Sequence, residues 1–251
     1  MGSRRRLPIL AATSLTITRS LPARPGRRVL AALATVPALL AACGSPPPDP
    51  NALLRAAKMF VDSAQTVHFQ LTSTGTTGGG AVVTGGSGDA KRPDQFTGTM
   101  SVTLAGFAID IDVLSLDGAF YVRLPTDPTY VRAHPNDYGF ADPGQLLDPQ
   151  HGVSSLLLRC QSVVLESDDR YNSEQLHEVG CALPGPAVAA LLTSADPAQR
   201  VDATFGVSLD NQLRRVVLTG PFYNKTQRST FTLVLDRYGE NVSISAPPGP
   251  G

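Results

Sequence analysis

Between residues 67 and 124 the apolar side chains recur at every second position, a period that leaves the first half of this chain little choice but strands. Val67, Phe69 and Leu71 alternate with His68, Gln70 and Thr72; Met100, Val102 and Leu104 repeat the pattern; Ile109, Ile111 and Val113 alternate with Asp110 and Asp112. Ala105-Gly106 turns the chain between the second and third runs, and Asp117-Gly118 is a hairpin signal after which Phe120 to Leu124 returns. The Gly-rich stretch Gly75 to Gly88, which interrupts the pattern, reads as a flexible or hairpin segment.

The second half continues in the same way. Gln161 to Glu166, Leu176 to Cys181, Ala203 to Leu209, Leu213 to Thr219 and Thr230 to Leu235 read as strands, Asp210-Asn211 as a turn, and Val242 to Ser245 as the strand that closes the sheet. Helical spacing appears in three places. Asp49 can cap a helix whose residues Leu53, Leu54, Ala57, Phe60, Val61 and Ala64 share one face through Gln65, while Val153 to Leu158 and Pro186 to Ser194 suit short helices. Pro125 to Gly152, with Tyr130, Tyr138 and Phe140, is a long connection of the kind that is functional or carries short helical turns. The fold class is therefore α+β: one strongly curved antiparallel sheet covered on one face by helices.

Upstream of this domain, Arg24, Arg27 and Arg28 precede the apolar run Val29 to Leu40, which at 12 residues fits a signal peptide. It is too short for the roughly 20 residues of a membrane span. Leu40, Ala41, Ala42 and Cys43 follow at once and resemble the bacterial lipobox, in which the cysteine sulfur takes a diacylglyceryl group and the freed amine a further acyl chain. Two or three chains anchor stably where one binds only marginally. Residues 1–42 are thus expected to be an export signal, with the apolar stretch Leu7 to Ile17 in a leader, 1–20, that suggests a true start near Leu21. Residues 43–50 are the acylated cysteine and a stiff Pro-rich spacer, 51–246 the domain, and 247–251 a disordered tail. The expected location is the extracytoplasmic face of the cell membrane, held by Cys43.

With 21 basic and 21 acidic residues the chain carries no net charge, so nucleic acid is not an expected partner. Once Cys43 is acylated, Cys160 and Cys181 remain. In an oxidising compartment the expectation is a disulfide, the alternative being two buried free thiols. No metal-ligand spacing surrounds them, and neither a metal nor another cofactor is expected.

Catalytic signatures are absent. There is no G-x-S-x-G (Gly86-Ser87-Gly88 lacks the spacing), no H-E-x-x-H, no P-loop and no G-x-G-x-x-G. His68, His134, His151 and His177 sit among loop or polar strand residues, and Asp110 and Asp112 read as the solvated face of a strand. No catalytic residue is assigned, and the chain is not expected to be an enzyme.

Three segments carry a resemblance to a known family: Ile109-Asp-Ile-Asp with Leu116-Asp-Gly-Ala-Phe-Tyr-Val, then Asp142-Pro-Gly-Gln-Leu-Leu-Asp-Pro-Gln-His-Gly-Val, and Asp236-Arg-Tyr-Gly-Glu-Asn-Val. In order and spacing they resemble the mycobacterial LppX/LprAFG lipoproteins, over about residues 51–246. Tyr238 stands where relatives often have Trp, and the Cys160/Cys181 pair is not a general family feature. The resemblance implies a half-barrel sheet enclosing an apolar cavity for acyl chains. It also implies a carrier that moves acylated glycolipid, phospholipid or lipoglycan across the periplasm, with a membrane exporter as a further candidate partner. By position, Met100, Val102, Leu104, Ile109, Ile111 and Val113 would be the lipid-contacting residues. The competing class is a structural or adhesive surface module in which these side chains fill an ordinary core.

Overall fold

In the first half the alternating segments become strands β1 (Thr66–Thr74), β2 (Val82–Lys91), β3 (Gln95–Leu104), β4 (Phe107–Leu116), β5 (Ala119–Arg123) and the two-residue β6 (Val131–Arg132). In the second half they become β7 (Gln161–Leu165), β8 (Asp169–Tyr171), β9 (Glu174–Leu183), β10 (Val201–Ser208), β11 (Leu213–Asn224) and β12 (Gln227–Asp236). The computed structural model describes residues 46–76, 78 and 80–247. The expected export signal, 1–42, the expected acylation site Cys43 and the residues beyond Pro247 of the expected tail lie outside the described residues. Residues from Pro46 onward form one compact unit.

All twelve strands join one antiparallel sheet in the order β6-β5-β4-β3-β2-β1-β12-β11-β10-β9-β7, with β8 also on β9. Neighbours in space are neighbours in sequence except at one edge, where β7 pairs with β9, and at the centre, where β1 pairs with β12, His68 opposite Asp236 and Leu71 opposite Leu233. The outer strands β6 and β7 do not meet, so the sheet stays unclosed. A two-residue strand at the β6 edge offers little backbone for another chain to pair with.

The helical layer is thin. Helix α1 (Pro50–Ser63) starts at Asp49, whose carboxylate accepts from the Asn51 N–H, and ends where Arg92 donates to the carbonyls of Val61 and Ala64. A cation at the C-terminal carbonyls also suits the helix dipole. Leu54, Ala57 and Val61 are its buried face, and it packs on α2 (Ser154–Leu157) and on β7, β10 and β11. The Tyr238 hydroxyl donates to the Leu213 carbonyl at 2.7 Å while its ring meets Phe60 edge-on, tying the end of α1 to the end of the sheet. The expected helix Pro186 to Ser194 forms only as the short α3 (Gly185–Ala189), after which the chain proceeds in turns.

Two expectations are corrected. The Gly-rich segment is a connection only up to residue 81; from Val82 it is strand β2, running through Gly85, Gly86 and Gly88. Gly88 lies opposite Gly98 of β3, and a Cβ on either would meet the ring of Phe96 and the backbone of the other. Here glycine serves close strand packing under an aromatic ring. Val242 to Ser245 is not a strand. The last strand, β12, has β1 on one side and β11 on the other, so no free edge remains at that end. The chain instead turns away through Arg237 and Gly239, both at positive φ, and the Lys91 ammonium donates to the Val242 carbonyl.

Candidate functional site

Apolar side chains on the helix-covered face stand in a row across the sheet. Ile111, Met100, Gly86, Leu71, Leu233, Val216, Phe205 and Val179 lie opposite one another on successive strands from β4 to β9. The row has one gap, at Gly86. Met100 leans over it: a Cβ on residue 86 would stand 2.6 Å from the Met100 sulfur.

Above the centre of this row is a cavity of about 120 Å³. Its floor is Phe69, Leu71, Met100, Val216, Leu218, Phe231 and Leu233; its roof is Phe140, Leu146, Val153 and Leu156, with Leu191 and Leu192 after α3. Of its apolar lining, Leu71, Leu146, Leu191, Leu192 and Leu233 are half buried, so the space is open to solvent in part. The wall has one charged side chain, Asp142, and its carboxylate is already engaged, accepting from Ser115 Oγ and from the Gly144 N–H. The lining is otherwise almost wholly apolar. A void of about 150 Å³ lined by Leu, Ile and Phe suffices for benzene, so a long acyl chain needs the roof to rise.

The roof is held unevenly. The 3₁₀ helix Pro143–Gln145 is fixed by Asp142 to buried Ser115, and Val153 N–H donates to the Leu146 carbonyl. Behind α2, Cys160 and Cys181 are bonded, Cα to Cα 5.5 Å, tying the end of the roof to β9. From Pro125 to Ala141 the chain is held by the two-residue β6, by the Ala133 N–H donating to the Phe120 carbonyl, by Arg123 over the Tyr130 ring and, after a second 3₁₀ helix, Pro135–Tyr138, by Phe140 resting edge-on against Phe120.

Of the six side chains expected to contact lipid, Met100 lines the cavity. Val102, Ile111 and Val113 are buried beside it, Ile109 is half buried, and Leu104 is 39% exposed at the end of the β3–β4 hairpin. Sequence reasoning passed over the floor residues of β1, β11 and β12. Their alternation was visible, but the β1–β12 pairing that assembles them was not.

The remaining polar groups lie off the cavity. His68 Nδ1 is 2.7 Å from Asp89 Oδ1, His177 Nδ1 is 2.9 Å from Asp168 Oδ1 and His151 Nδ1 is 3.1 Å from Asp148 Oδ1. None of these histidines lines the cavity. Hydrogen bonds from His177 and Gln175 hold the Asp168 carboxyl below the usual range. Asp112 binds Arg123 at 2.6 Å and Asp110 accepts from Ser101, as a solvated strand face would. On β9 to β11, Glu178, Gly206 and Arg215 stand in one row, with Arg215 2.8 Å from Glu178 and also paired with Asp169. Burial pushes the Glu178 carboxyl up, against the pull of Arg215. Among the described residues no group of three or more His, Cys, Asp or Glu could hold a metal ion, and no helix is long and apolar enough to cross a membrane.

The sequence profile of the LppX_LprAFG lipoproteins matches residues 49–244, most of the chain. The chain belongs to the LppX_LprAFG lipoprotein family. A curated relative, the lipoarabinomannan carrier protein LprG of Mycobacterium tuberculosis, is 27% identical over 242 residues, spanning 90% of this chain and 98% of LprG. Among solved structures, LprF from Mycobacterium bovis superposes with a TM-score of 0.64 at 18% identity, covering 82% of this chain and all (100%) of LprF. The Mycobacterium tuberculosis lipoprotein LppX gives 0.57 at 15% identity, covering 78% and 97%. The single large unclosed sheet is thus the fold of LprF and LppX.

Proposed function

We propose that this protein is a lipid-anchored, non-enzymatic carrier that takes the acyl chains of a glycolipid, phospholipid or lipoglycan between sheet and roof and moves them across the periplasm to the cell envelope. The observation that carries this reading is the apolar cavity, open in part and floored by strands β1, β3, β11 and β12. The name of the LprG relative, a lipoarabinomannan carrier, supports the class of cargo. The physical need is plain, since each CH₂ exposed to water costs about 0.8 kcal/mol and several long chains cannot cross an aqueous space unshielded.

Mechanistically the carrier sequesters and does no chemistry. Acyl tails enter beneath the roof while a polar headgroup stays at the mouth. Of the connection Pro125 to Gly152, the part before Asp142 is the piece free to lift, because the part after it is stapled through Ser115 and Gly144. Met100, Ile111, Val102 and Val113 would then meet the tails as the space widens, with Ile109 and Leu104 further out. Acyl chains on Cys43 would hold the carrier to the membrane and leave the cavity for cargo, a membrane exporter being a candidate partner.

A structural or adhesive module remains the competing reading, and the small cavity volume is what favours it. Native mass spectrometry separates the two. The domain from Gly44 onward, purified from an actinobacterial host, should carry lipid that organic extraction releases. A domain free of lipid that also fails to take up added lipid would sink the carrier reading.

A further inference from the structure

The β3–β4 hairpin carries an apolar track out of the cavity and ends in an exposed tip. Met100 lies opposite Ile111, Val102 opposite Ile109 and Leu104 opposite Phe107, three cross-strand pairs on one face of two strands. Exposure rises along it, from Met100 at 3% and Ile111 at 0% to Leu104 at 39% and Phe107 at 73%. The turn between the last pair, Ala105 and Gly106, has both residues at positive φ (50° and 85°). That is the tight two-residue reversal whose twist suits a projecting hairpin. From Ser101 to Ile109 the sequence has no charged residue.

We infer that this tip enters the interfacial layer of a lipid bilayer and that the track behind it is the path along which acyl chains pass between membrane and cavity. The inference rests on the carrier reading above. A bilayer is the occupant that fits. Two opposed side chains on a reverse turn fall far short of the roughly 800 Å² per partner that a stable protein contact buries. A fluid interface, by contrast, accepts a lone aromatic with its leucine. Continuity supplies a second argument, because the face that ends in Leu104 and Phe107 begins at the cavity floor.

The chain contains no tryptophan, so Phe107→Trp creates a single fluorescent reporter at the tip. Leu209→Trp, also exposed (63%) but at the β10–β11 turn in the other half of the sheet, is the comparison. Each full-length lipidated variant is reconstituted in vesicles of phosphatidylethanolamine and phosphatidylglycerol, with and without phospholipids brominated near the glycerol end of their acyl chains. Indole emission from the Phe107→Trp protein is expected to shift to the blue and to be quenched by the bromines, with emission from the Leu209→Trp protein unaffected. Solvent-like, unquenched emission from the tip reporter overturns the proposal. So does a blue shift that ignores bromine and grows with protein concentration, which would assign the tip to a second copy of the chain. Transfer of lipid between vesicles by the double variant Leu104→Ser, Phe107→Ser should be roughly tenfold or more slower than wild type, the worth of a lost apolar anchor. Lipid loading of that variant, read by native mass spectrometry, should stay unchanged. If neither protein loads lipid, the carrier reading fails, while quenching of the tip reporter still decides whether the hairpin meets the bilayer.

Discussion

The Met100 side chain fills the place where residue 86 has none, its sulfur 2.6 Å from the point a β-carbon on Gly86 would occupy. An unbranched thioether beside a glycine is an adjustable piece of floor, since Met changes rotamer at little cost. Gly86→Ala should push Met100 up into the cavity, reducing uptake of an apolar fluorescent probe at a stability cost of about 1–3 kcal/mol. Adding Met100→Ala should restore uptake. If the double variant binds no better than Gly86→Ala alone, Met100 is not what limits the space.

The bond between Asp142 and Ser115 stands between the part of the roof proposed to stay fixed and the part proposed to lift. Ser115→Ala is expected to cost about 1 kcal/mol and Asp142→Ala about 1–2 kcal/mol, the latter also removing the cap on Gly144. Hydrogen exchange should speed up between residues 135 and 147 and stay unchanged in β1 to β3. Uniform acceleration across the sheet would instead make the staple a global support.

The Cys160–Cys181 bond spans 21 residues and holds the α2 end of the roof to β9. Replacing both cysteines with Ala should lower stability by about 3 kcal/mol in the chain-entropy account, read from urea midpoints. The opening side of the roof should be unaffected, so lipid loading should persist in the folded fraction. Lost loading at full folding would mean that the fixed side also shapes the cavity.

Burial raises the Glu178 carboxyl, so the folded state holds that proton more tightly than the unfolded chain does. The site's contribution to stability is fully present below the ordinary glutamate value of about 4.3. It is lost as pH rises through the higher folded value. Glu178→Gln keeps a carbonyl oxygen for Arg215 and removes that loss. The urea midpoint of the variant minus that of wild type should therefore grow from about pH 4.3 towards neutrality. The lowered carboxyls Asp168 and Asp169 act in the opposite direction, below their ordinary range; Asp168 cancels in the difference, and Asp169, which shares Arg215 with Glu178, acts below the pH window in which the difference is read. A constant difference would place Glu178 outside any titrating role.

What was legible followed from local periodicity. The alternation at Val67 to Leu71, Met100 to Leu104 and Ile109 to Val113 predicts β1, β3 and β4, and Asp49 predicts the start of α1, because each signal lies within a few residues of its effect. What was hidden depends on partners far along the chain. Gly86 and Gly88 look like a flexible run until Met100 and Phe96 are seen to occupy the space they leave. Val242 to Ser245 has strand composition and no edge to join. The cavity floor needs Leu71 opposite Leu233, a pairing across most of the domain that no local pattern encodes.

That pairing also sets an order of events. Strands β1 to β6 join as sequence neighbours, and β7 to β11 join close to one another with β7 and β8 both on β9, but in the sheet the two halves meet only through β12, which pairs with β1 on one side and β11 on the other. Since β12 is the last strand made, a chain synthesised from its N-terminus has no cavity floor until residues 227–236 arrive. Long-range closure of this kind is slow. Until β12 docks, the two parts of the sheet keep unpaired edges beside apolar faces, the arrangement that invites aggregation.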